Sequence, residues 1–459
     1  MTGVTDLIAA VATPAGSGAV SIIRLSGPGL LTALDQVLIG AGDLAKRPRS
    51  LVLAKAKDLS GEIVDEVLAV FFPGPYSFTG EDCAEIQCHA GLVTPNLVLE
   101  AVLGAGARMA NPGEFTQRAF LNGRLSLDQA EAVAELVAAQ SRSEAILARR
   151  QLSGALKERI DPIVRQLTAL AATLTAILDF EEPWEETDKA RLTSDLTRLQ
   201  KDLDYLLTLR REGRIFREGL KIVIAGPPNA GKSSLFNALL GLDRALVSPR
   251  PGTTRDYLEA AVSWAGLRVE LIDTAGLWAE STDELDQLGQ DRTRERMSEA
   301  DLILWLKDLT APNPPSAPSN VLQGDLKEAD NPADADIPVL EVHTKADLAQ
   351  SPAALEPQAL TISAKTGLRL DQLKREVLTI LGVKAERPPE LVPNYRHQKA
   401  LEETAVFLNE AAKALADGAP PDIVNLEITE ALTHLGQITG RVMTEDLLTE
   451  VFSHFCLGK

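Results

Sequence analysis

Three cysteines among 459 residues, Cys83, Cys88 and Cys456, are too few for a disulfide framework and point to a reducing cytoplasm. The start of the chain carries no signal-peptide core, and no apolar run is long enough to span a bilayer, so no membrane role is expected. Positive charge is also scarce. The 46 Lys and Arg face 65 Asp and Glu, for a net charge of −19. So acidic a surface does not hold nucleic acid by broad electrostatic contact, and an RNA substrate would call for a basic partner to carry much of the phosphate contact. Cys83, Cys88 and His89 lack a second ligand pair, which argues against zinc. What remains is ordinary globular composition, 45% hydrophobic and 24% charged, at a length that suggests about three domains.

The most informative stretch is Gly226-Pro227-Pro228-Asn229-Ala230-Gly231-Lys232-Ser233. It follows an apolar run (Leu220, Ile222, Val223, Ile224) that reads as a buried parallel strand, and it precedes the apolar side of a helix from Leu235 to Leu240. A strand, a glycine loop and a helix N-terminus gather backbone N–H groups and the positive end of a helix dipole around phosphates. Lys232 is then expected to reach the β/γ-phosphates and the Ser233 hydroxyl to ligate Mg²⁺, with Asn229, Ala230, Gly231 and Ser234 completing the loop.

Further motifs follow in the order of a guanine-nucleotide domain. Gly252-Thr253-Thr254 is a switch loop, Asp273-Thr274-Ala275-Gly276 closes a strand, Thr344-Lys345-Ala346-Asp347 closes another, and Ser363-Ala364-Lys365 comes last. An open α/β sheet binds its ligand at such strand ends. Thr254 is expected to complete the Mg²⁺ shell, Asp273 to hold a Mg²⁺-bound water, and Gly276 to offer an N–H to the γ-phosphate. Asp347 is expected to accept from guanine N1–H and N2–H, Lys345 to stack along the base, and the Ala364 N–H to meet O6. The chemistry is that of a GTPase.

Composition and periodicity divide the chain. The fold expected is multidomain: an N-terminal α+β domain (1–121), a helical domain in two parts (122–215 and 384–459) and an inserted α/β Ras-like GTPase domain (216–383), with two separate helical bundles as the alternative that the helical pattern leaves open. Strand signals occur at Ser21–Leu25, Leu51–Lys57 and Val67–Phe72, with a turn at Asp58–Gly61. Helical periods run through Ile160–Leu178, Leu192–Leu206, Tyr395–Leu415, Ile423–Leu435 and Glu445–Phe455. Asp161-Pro162 reads as a helix start, with Asp as N-cap and Pro in the first turn. His397 and His434 are taken as plain surface or core residues. The basic run Arg210, Arg211, Arg214, Arg217 and Lys221 reads as a solvated helix end.

The whole chain resembles the MnmE (TrmE) family of tRNA-modification GTPases. The resemblance rests on Ala12-Thr13-Pro14-Ala15-Gly16, Ile23-Arg24-Leu25-Ser26-Gly27, Phe72 to Asp82, Pro112 to Gly123 and the terminal Phe455-Cys456-Leu457-Gly458-Lys459. It implies a homodimer built through N-terminal domains, a complex with the flavoprotein MnmG (GidA), and tRNA as substrate. It also implies an aminomethyl or carboxymethylaminomethyl group placed on C5 of the wobble uridine, with a tetrahydrofolate derivative as one-carbon donor and FAD carried by the partner. By motif match Arg24, Glu81, Arg124 and Lys459 line the folate site, and Cys456 stands near the modification chemistry. The family's K⁺ ion would be held by Asn229, Ser248, Arg250 and Thr253, and Asp286 stands where the family has a water-orienting Glu.

Three positions depart from the family pattern. Asp286 is one methylene shorter than Glu, Thr344 replaces the usual Asn, and Ser248-Pro249-Arg250-Pro251 is stiffer and more basic than the common K⁺ loop. Two other readings compete: a ribosome-assembly GTPase of the Era/Der type, whose relatives carry basic KH-like C-termini, and a dimer scaffold with a decayed GTPase.

Overall fold

The computed structural model describes residues 6–180, 184–242, 258–273, 300–311, 337–348, 360–383, 388–453, 455 and 458. The chain divides into two compact units: Met1–Ala138, Ala148–Leu207 and Tyr395–Lys459 make unit 1, and Ala139–Leu147 with Thr208–Asn394 make unit 2. The architecture is multidomain, with a mixed sheet and a helical part in unit 1 and an α/β sheet in unit 2.

Unit 1 begins with β1 (Ile8–Val11), β2 (Val20–Ser26), β3 (Leu38–Ile39), β4 (Val52–Lys57), β5 (Ile63–Phe72), β6 (Cys83–His89) and β7 (Arg108–Met109). They form one sheet in the order β3-β4-β5-β6-β2-β1-β7, antiparallel except for the β1–β7 edge. Alternation decides the faces. Ile23, Leu25, Val67, Ala69 and Phe71 turn into a core with α1 (Leu30–Val37) and α2 (Thr94–Gly104). Ile8 and Ala10 pack with Ala110 and Phe115, the last on α3 (Glu114–Leu121). The Asp58 turn closes as its sequence suggests, its carboxylate accepting from the N–H groups of Ser60 and Glu62 at 2.9 Å each.

Four helices follow, α4 (Leu127–Ala138), α5 (Arg142–Leu152), α6 (Ala155–Asp179) and α7 (Glu186–Glu218). The heptad-like residues of α6 and α7, among them Leu156, Ile160, Leu167, Leu196, Leu199 and Leu203, are almost wholly buried. Here one sequence expectation fails. The helix starts at Ala155 after Gly154 and runs through Pro162, so Asp161-Pro162 is no helix start. Proline deletes a single N–H bond to the preceding turn, while Leu156 and Ile160 before it lie on the same buried stripe as Ile163 and Leu167 after it. Burial of that stripe outweighs the local signal. Asp161 does not cap; its carboxylate pairs with Lys157 and with Arg441.

Unit 2 is built on β8 (Leu220–Ala225), β9 (Leu258–Trp264), β10 (Leu267–Asp273), β11 (Leu302–Asp308), β12 (Val339–Thr344) and β13 (Leu360–Thr361), in the order β13-β12-β11-β8-β10-β9. β8 lies between β10 and β11, parallel to both, and is covered on both faces. That is why its sequence runs apolar without alternation. Among the described residues α8 (Lys232–Leu242) and α9 (Leu370–Ile380) accompany this sheet. The β9–β10 turn is fastened within the unit: the Ser143 N–H donates to the Gly266 carbonyl at 3.0 Å, and Leu147, Phe216, Leu267 and Val392 share one buried cluster. Three members of the basic run are paired, Arg210 with Glu218, Arg214 with Asp301, and Arg217 with the Val392 carbonyl.

The chain then returns to unit 1 with α10 (Tyr395–Ala416), α11 (Pro421–Thr439) and α12 (Glu445–Ser453). A buried ion cluster joins α4 to α10. Arg396 grips Glu131 with two bonds of 2.6 and 2.8 Å and also reaches the Gln437 carbonyl, while His397, fully buried, lies 2.7 Å from Glu131. Burial alone would raise the Glu131 carboxyl, but His397 and Arg396 hold it far below its usual range. His434 pairs with Glu403 and stacks on Phe407. Among the described residues no helix is long and apolar enough to cross a membrane.

Candidate functional site

The C-terminal ends of β8, β10 and β12 and the loop after β13 bring the described nucleotide motifs together. β8 delivers the loop from Gly226. That residue has φ +144, and a Cβ there would meet the Leu306 carbonyl oxygen at 2.7 Å, so only glycine fits. Asn229 takes the left-handed conformation at φ +61. Lys232, 8% exposed, donates to the carbonyls of Gly226 and Pro227 at 2.9 Å each. Burial pulls its ammonium below the usual lysine range, and the carboxylate of Asp273 opposes that shift. The Ser233 hydroxyl donates to Asp273 at 2.8 Å.

An adjacent hydroxyl and carboxylate of this kind form an all-oxygen donor set, which suits a hard divalent cation. Ser233 would hold Mg²⁺ and Asp273 would orient its water; the ion would offset charge on the phosphates. Lys232 is free to exchange backbone carbonyls for phosphate oxygens, a stronger charge-assisted pairing.

At the base-binding end the Thr344 hydroxyl donates to the Ala230 carbonyl at 2.7 Å, with the Lys307 carbonyl at 3.2 Å. This ties the β12 loop to the phosphate loop. Asp347 accepts from the Ser363 hydroxyl at 2.6 Å, and that bond keeps its carboxyl below the ordinary range, ionised and ready to accept from a ligand. Lys345 adopts φ +62 and pairs with Asp308 at 2.6 Å. Ser234 is exposed on α8, and Ala364 packs against the sheet core. Lys365 contributes a nearby positive charge to Asp347. Ser248, Arg250, Thr253, Thr254, Thr274, Ala275, Gly276 and Asp286 lie outside the described residues, as do Cys456 and Lys459.

Unit 1 holds a second candidate site, a cavity of about 500 Å³ lined by Arg24, Phe72, Tyr76, Ser77, Phe78, Cys83, Glu85, Arg124 and Val133. Arg24 projects from β2, its Nε and Nη2 donating to Glu85 on β6 at 3.1 and 2.9 Å. The strand register places the two residues opposite each other. Phe78 and Phe115 each stand 5.9 Å from the guanidinium. Its Nη1 also donates to the Gly458 carbonyl at 3.4 Å. Gly458 has φ +86, and a Cβ there would meet the Val11 carbonyl at 2.5 Å, so Gly458 lies directly on β1.

Of the residues singled out in the sequence, Arg24 and Arg124 line this cavity and Glu81 does not. Glu81 accepts instead from the Ser26 hydroxyl at 2.7 Å and from buried Arg118 at 3.2 Å. Glu85 is the carboxylate in the wall. Sequence reading missed it because its signal is register, two strand positions after Cys83, and no motif. Cys83 is buried beside Thr79 and Ser26, while burial pushes the Cys88 thiol up to about 11. Asp308 was missed for the same reason: its place beside Lys345 comes from the pairing of β11 with β12.

A family model described as GTP-binding protein TrmE N-terminus matches residues 7–124, and one described as MnmE helical domain matches residues 127–456. The chain belongs to the MnmE family of tRNA modification GTPases. Relatives named tRNA modification GTPase MnmE match end to end. That of Akkermansia muciniphila is 40% identical over 100% of both chains. That of Methylibium petroleiphilum is 40% identical over 99% of this chain and 98% of its own, and that of Moorella thermoacetica is 41% identical over 99% of each. Among solved structures, the G domain of the T. maritima FeoB iron transporter aligns with 35% of this chain and 97% of that one, at 26% identity and a TM-score of 0.25.

Proposed function

We propose that this MnmE-family chain hydrolyses GTP in a K⁺-dependent manner and, as a cytoplasmic homodimer in complex with the flavoprotein MnmG, modifies C5 of the wobble uridine of certain tRNAs. The group installed is aminomethyl or carboxymethylaminomethyl, with a tetrahydrofolate derivative as one-carbon donor. The observation that carries the reading is the presence in one chain of two separate binding constellations. One is the Lys232–Ser233–Asp273 phosphate site with its ionised Asp347, and the other is an aromatic cavity with two arginines.

In this reading Asp347 selects guanine, since adenine cannot offer it two donors, and Ser233 with Thr254 hold Mg²⁺. Asn229, Ser248, Arg250 and Thr253 hold K⁺, which adds positive charge where the β–γ oxygen and γ-phosphoryl grow more negative. Asp286 orients the attacking water through a second water. In the cavity Phe72, Tyr76 and Phe78 offer faces to a flat pterin, and Arg124, exposed at the wall, suits a carboxylate tail. Glu81, held by Arg118 and Ser26, then supports the Phe72–Asp82 loop, while Arg24 and Glu85 face the ligand. Lys459 adds a further cation and Cys456 lies near the chemistry. The domain plan 1–121, 122–215, 216–383 and 384–459 accompanies this proposal.

Reconstitution of the purified chain with the flavoprotein, GTP, a tetrahydrofolate one-carbon donor and tRNA, followed by nucleoside analysis, tests the whole reading. The expected result is a modified wobble uridine that requires GTP and K⁺ together. Modification that persists without GTP, or equal rates in Na⁺ and K⁺, would overturn the corresponding part.

A further inference from the structure

Asp308 ends β11 and Thr344 ends β12, and the register pairs them directly. The carboxylate of Asp308 therefore stands beside the loop that carries Lys345. One oxygen, Oδ1, accepts from the Thr310 N–H at 2.9 Å and from the Thr310 hydroxyl at 2.7 Å. The other, Oδ2, receives the Lys345 ammonium at 2.6 Å. Burial acts to raise the Asp308 carboxyl, but Lys345 and Thr310 together hold it below its usual range. The Leu309 N–H also reaches the Thr344 carbonyl at 3.3 Å, so the two loops are joined by backbone as well. The Asp308 side chain is 16% exposed and that of Lys345 31%, so the pair is screened from water on most sides.

This geometry differs from an ordinary surface ion pair, which is worth little because two flexible side chains must be ordered at once. Here the carboxylate is already fixed by the turn at Thr310, and only the lysine has to be ordered. Lys345 itself sits in the left-handed region at φ +62.

We infer that Asp308 is a positioning residue for guanine-nucleotide binding, holding the Lys345 ammonium so that the lysine stem forms one wall of the base slot. The inference rests on the GTPase reading above and adds to it a residue outside the nucleotide motifs. Without Asp308 the lysine keeps its charge but regains its rotamers, and ligand binding must then order it.

The test is a double-mutant cycle on the full chain, with Asp308→Ala, Lys345→Ala and both together, read as the Kd of a fluorescent GDP. Each single change is expected to weaken binding about tenfold, a charge-assisted bond's worth, and the double variant no more than the weaker single. Displacement of the probe by inorganic pyrophosphate, which occupies only the phosphate loop, is expected to be the same in all four proteins after correction for the probe's own Kd. Melting of the nucleotide-free proteins controls for folding, and Asp308→Asn, which keeps an acceptor for Thr310, replaces the alanine variant if that one fails to fold. Unchanged GDP affinity in Asp308→Ala, or losses that multiply in the double variant, would overturn the inference. A wild-type chain that ignores GDP would instead overturn the GTPase reading itself.

Discussion

In unit 2 the phosphate loop is shaped by backbone, with Gly226 and Asn229 at positive φ and carbonyls of Gly226 and Pro227 facing Lys232. In unit 1 the cavity at Arg24 is shaped by charged side chains from distant strands. Arg24 pairs with Glu85, and behind them Arg118 gathers Glu114, Asp6 and Glu81 while Arg108 bonds both oxygens of Glu114 and pairs with Asp6. The first design largely separates function from stability, because backbone conformation at Gly226 and Asn229 sets the loop's shape and Lys232 and Thr344 only tie it down. The second joins them, because removing one charge strands its partners. That contrast makes different mutations informative in the two units.

The largest effect is expected at Lys232. Lys232→Ala removes the cation proposed to meet the β/γ-phosphates, and turnover of GTP should fall on the order of 1,000-fold. The folded protein should lose nothing, since a buried ammonium already held below its usual pKa is a cost to folding. Phosphate-release kinetics beside thermal melting check both halves. A variant that melts much earlier would break the contrast.

Arg118→Ala is the counterpart in unit 1. Its side chain is 1% exposed and that of Glu114 7%, so the change takes one of two cations from the buried Glu114 carboxylate and removes the Arg118 bond to Glu81. Breaking such a set from one side costs about 3–5 kcal/mol. Urea denaturation, with hydrogen exchange of β2 and β6 as the local readout, should show the loss, while GDP affinity in unit 2 should hold. Cavity binding would then fall through unfolding and not through a lost contact.

These two designs also explain what could be read from the sequence. The strand–loop–helix of β8, the Gly226 loop and α8 was legible because its signal lies in eight contiguous residues between an apolar strand and an apolar helix. The helices α10 and α11 were legible from periodicity alone. The cavity was not. Arg24 and Arg124 were reached only through family resemblance, and Glu85 not at all, because strand register sets which carboxylate faces Arg24 and register depends on pairing across about 60 residues. Pro162 misled for a related reason: a local stop signal carries no information about the buried stripe on either side of it.

A third variant tests whether unit 1 carries buried charge even where no site needs it. Asp128, fully buried at the start of α4, has its carboxyl pushed up to about 6, chiefly by burial and further by Glu131, against the pull of Ser126 and Arg396. The unfolded chain releases this proton near 3.8. Between those values the folded form binds the extra proton, so stability falls as pH rises from about 4 to about 6 and the penalty is complete above that. Asp128→Asn should therefore raise stability at pH 7.5 by up to about 3 kcal/mol and do nothing below pH 4. Equal effects at both pH values would mean that packing, not ionisation, is responsible.

The smallest effect is expected back in unit 2, at Thr344, where the family pattern has Asn. A hydroxyl has one proton to donate, and that of Thr344 closes on the Ala230 carbonyl, leaving none for a bound base. An Asn carboxamide has two. Thr344→Asn should keep the tie to Ala230 and offer one more donor at the base, tightening GDP by a few-fold, the net worth of a single neutral hydrogen bond. Selectivity for guanine over adenine should not move if, as proposed, Asp347, held by Ser363, supplies it. Competition titrations with GDP and ADP separate the two quantities. If Thr344→Asn weakens GDP instead, the wider carboxamide has pushed the two loops apart, and the tie to Ala230 matters more than any contact with the base.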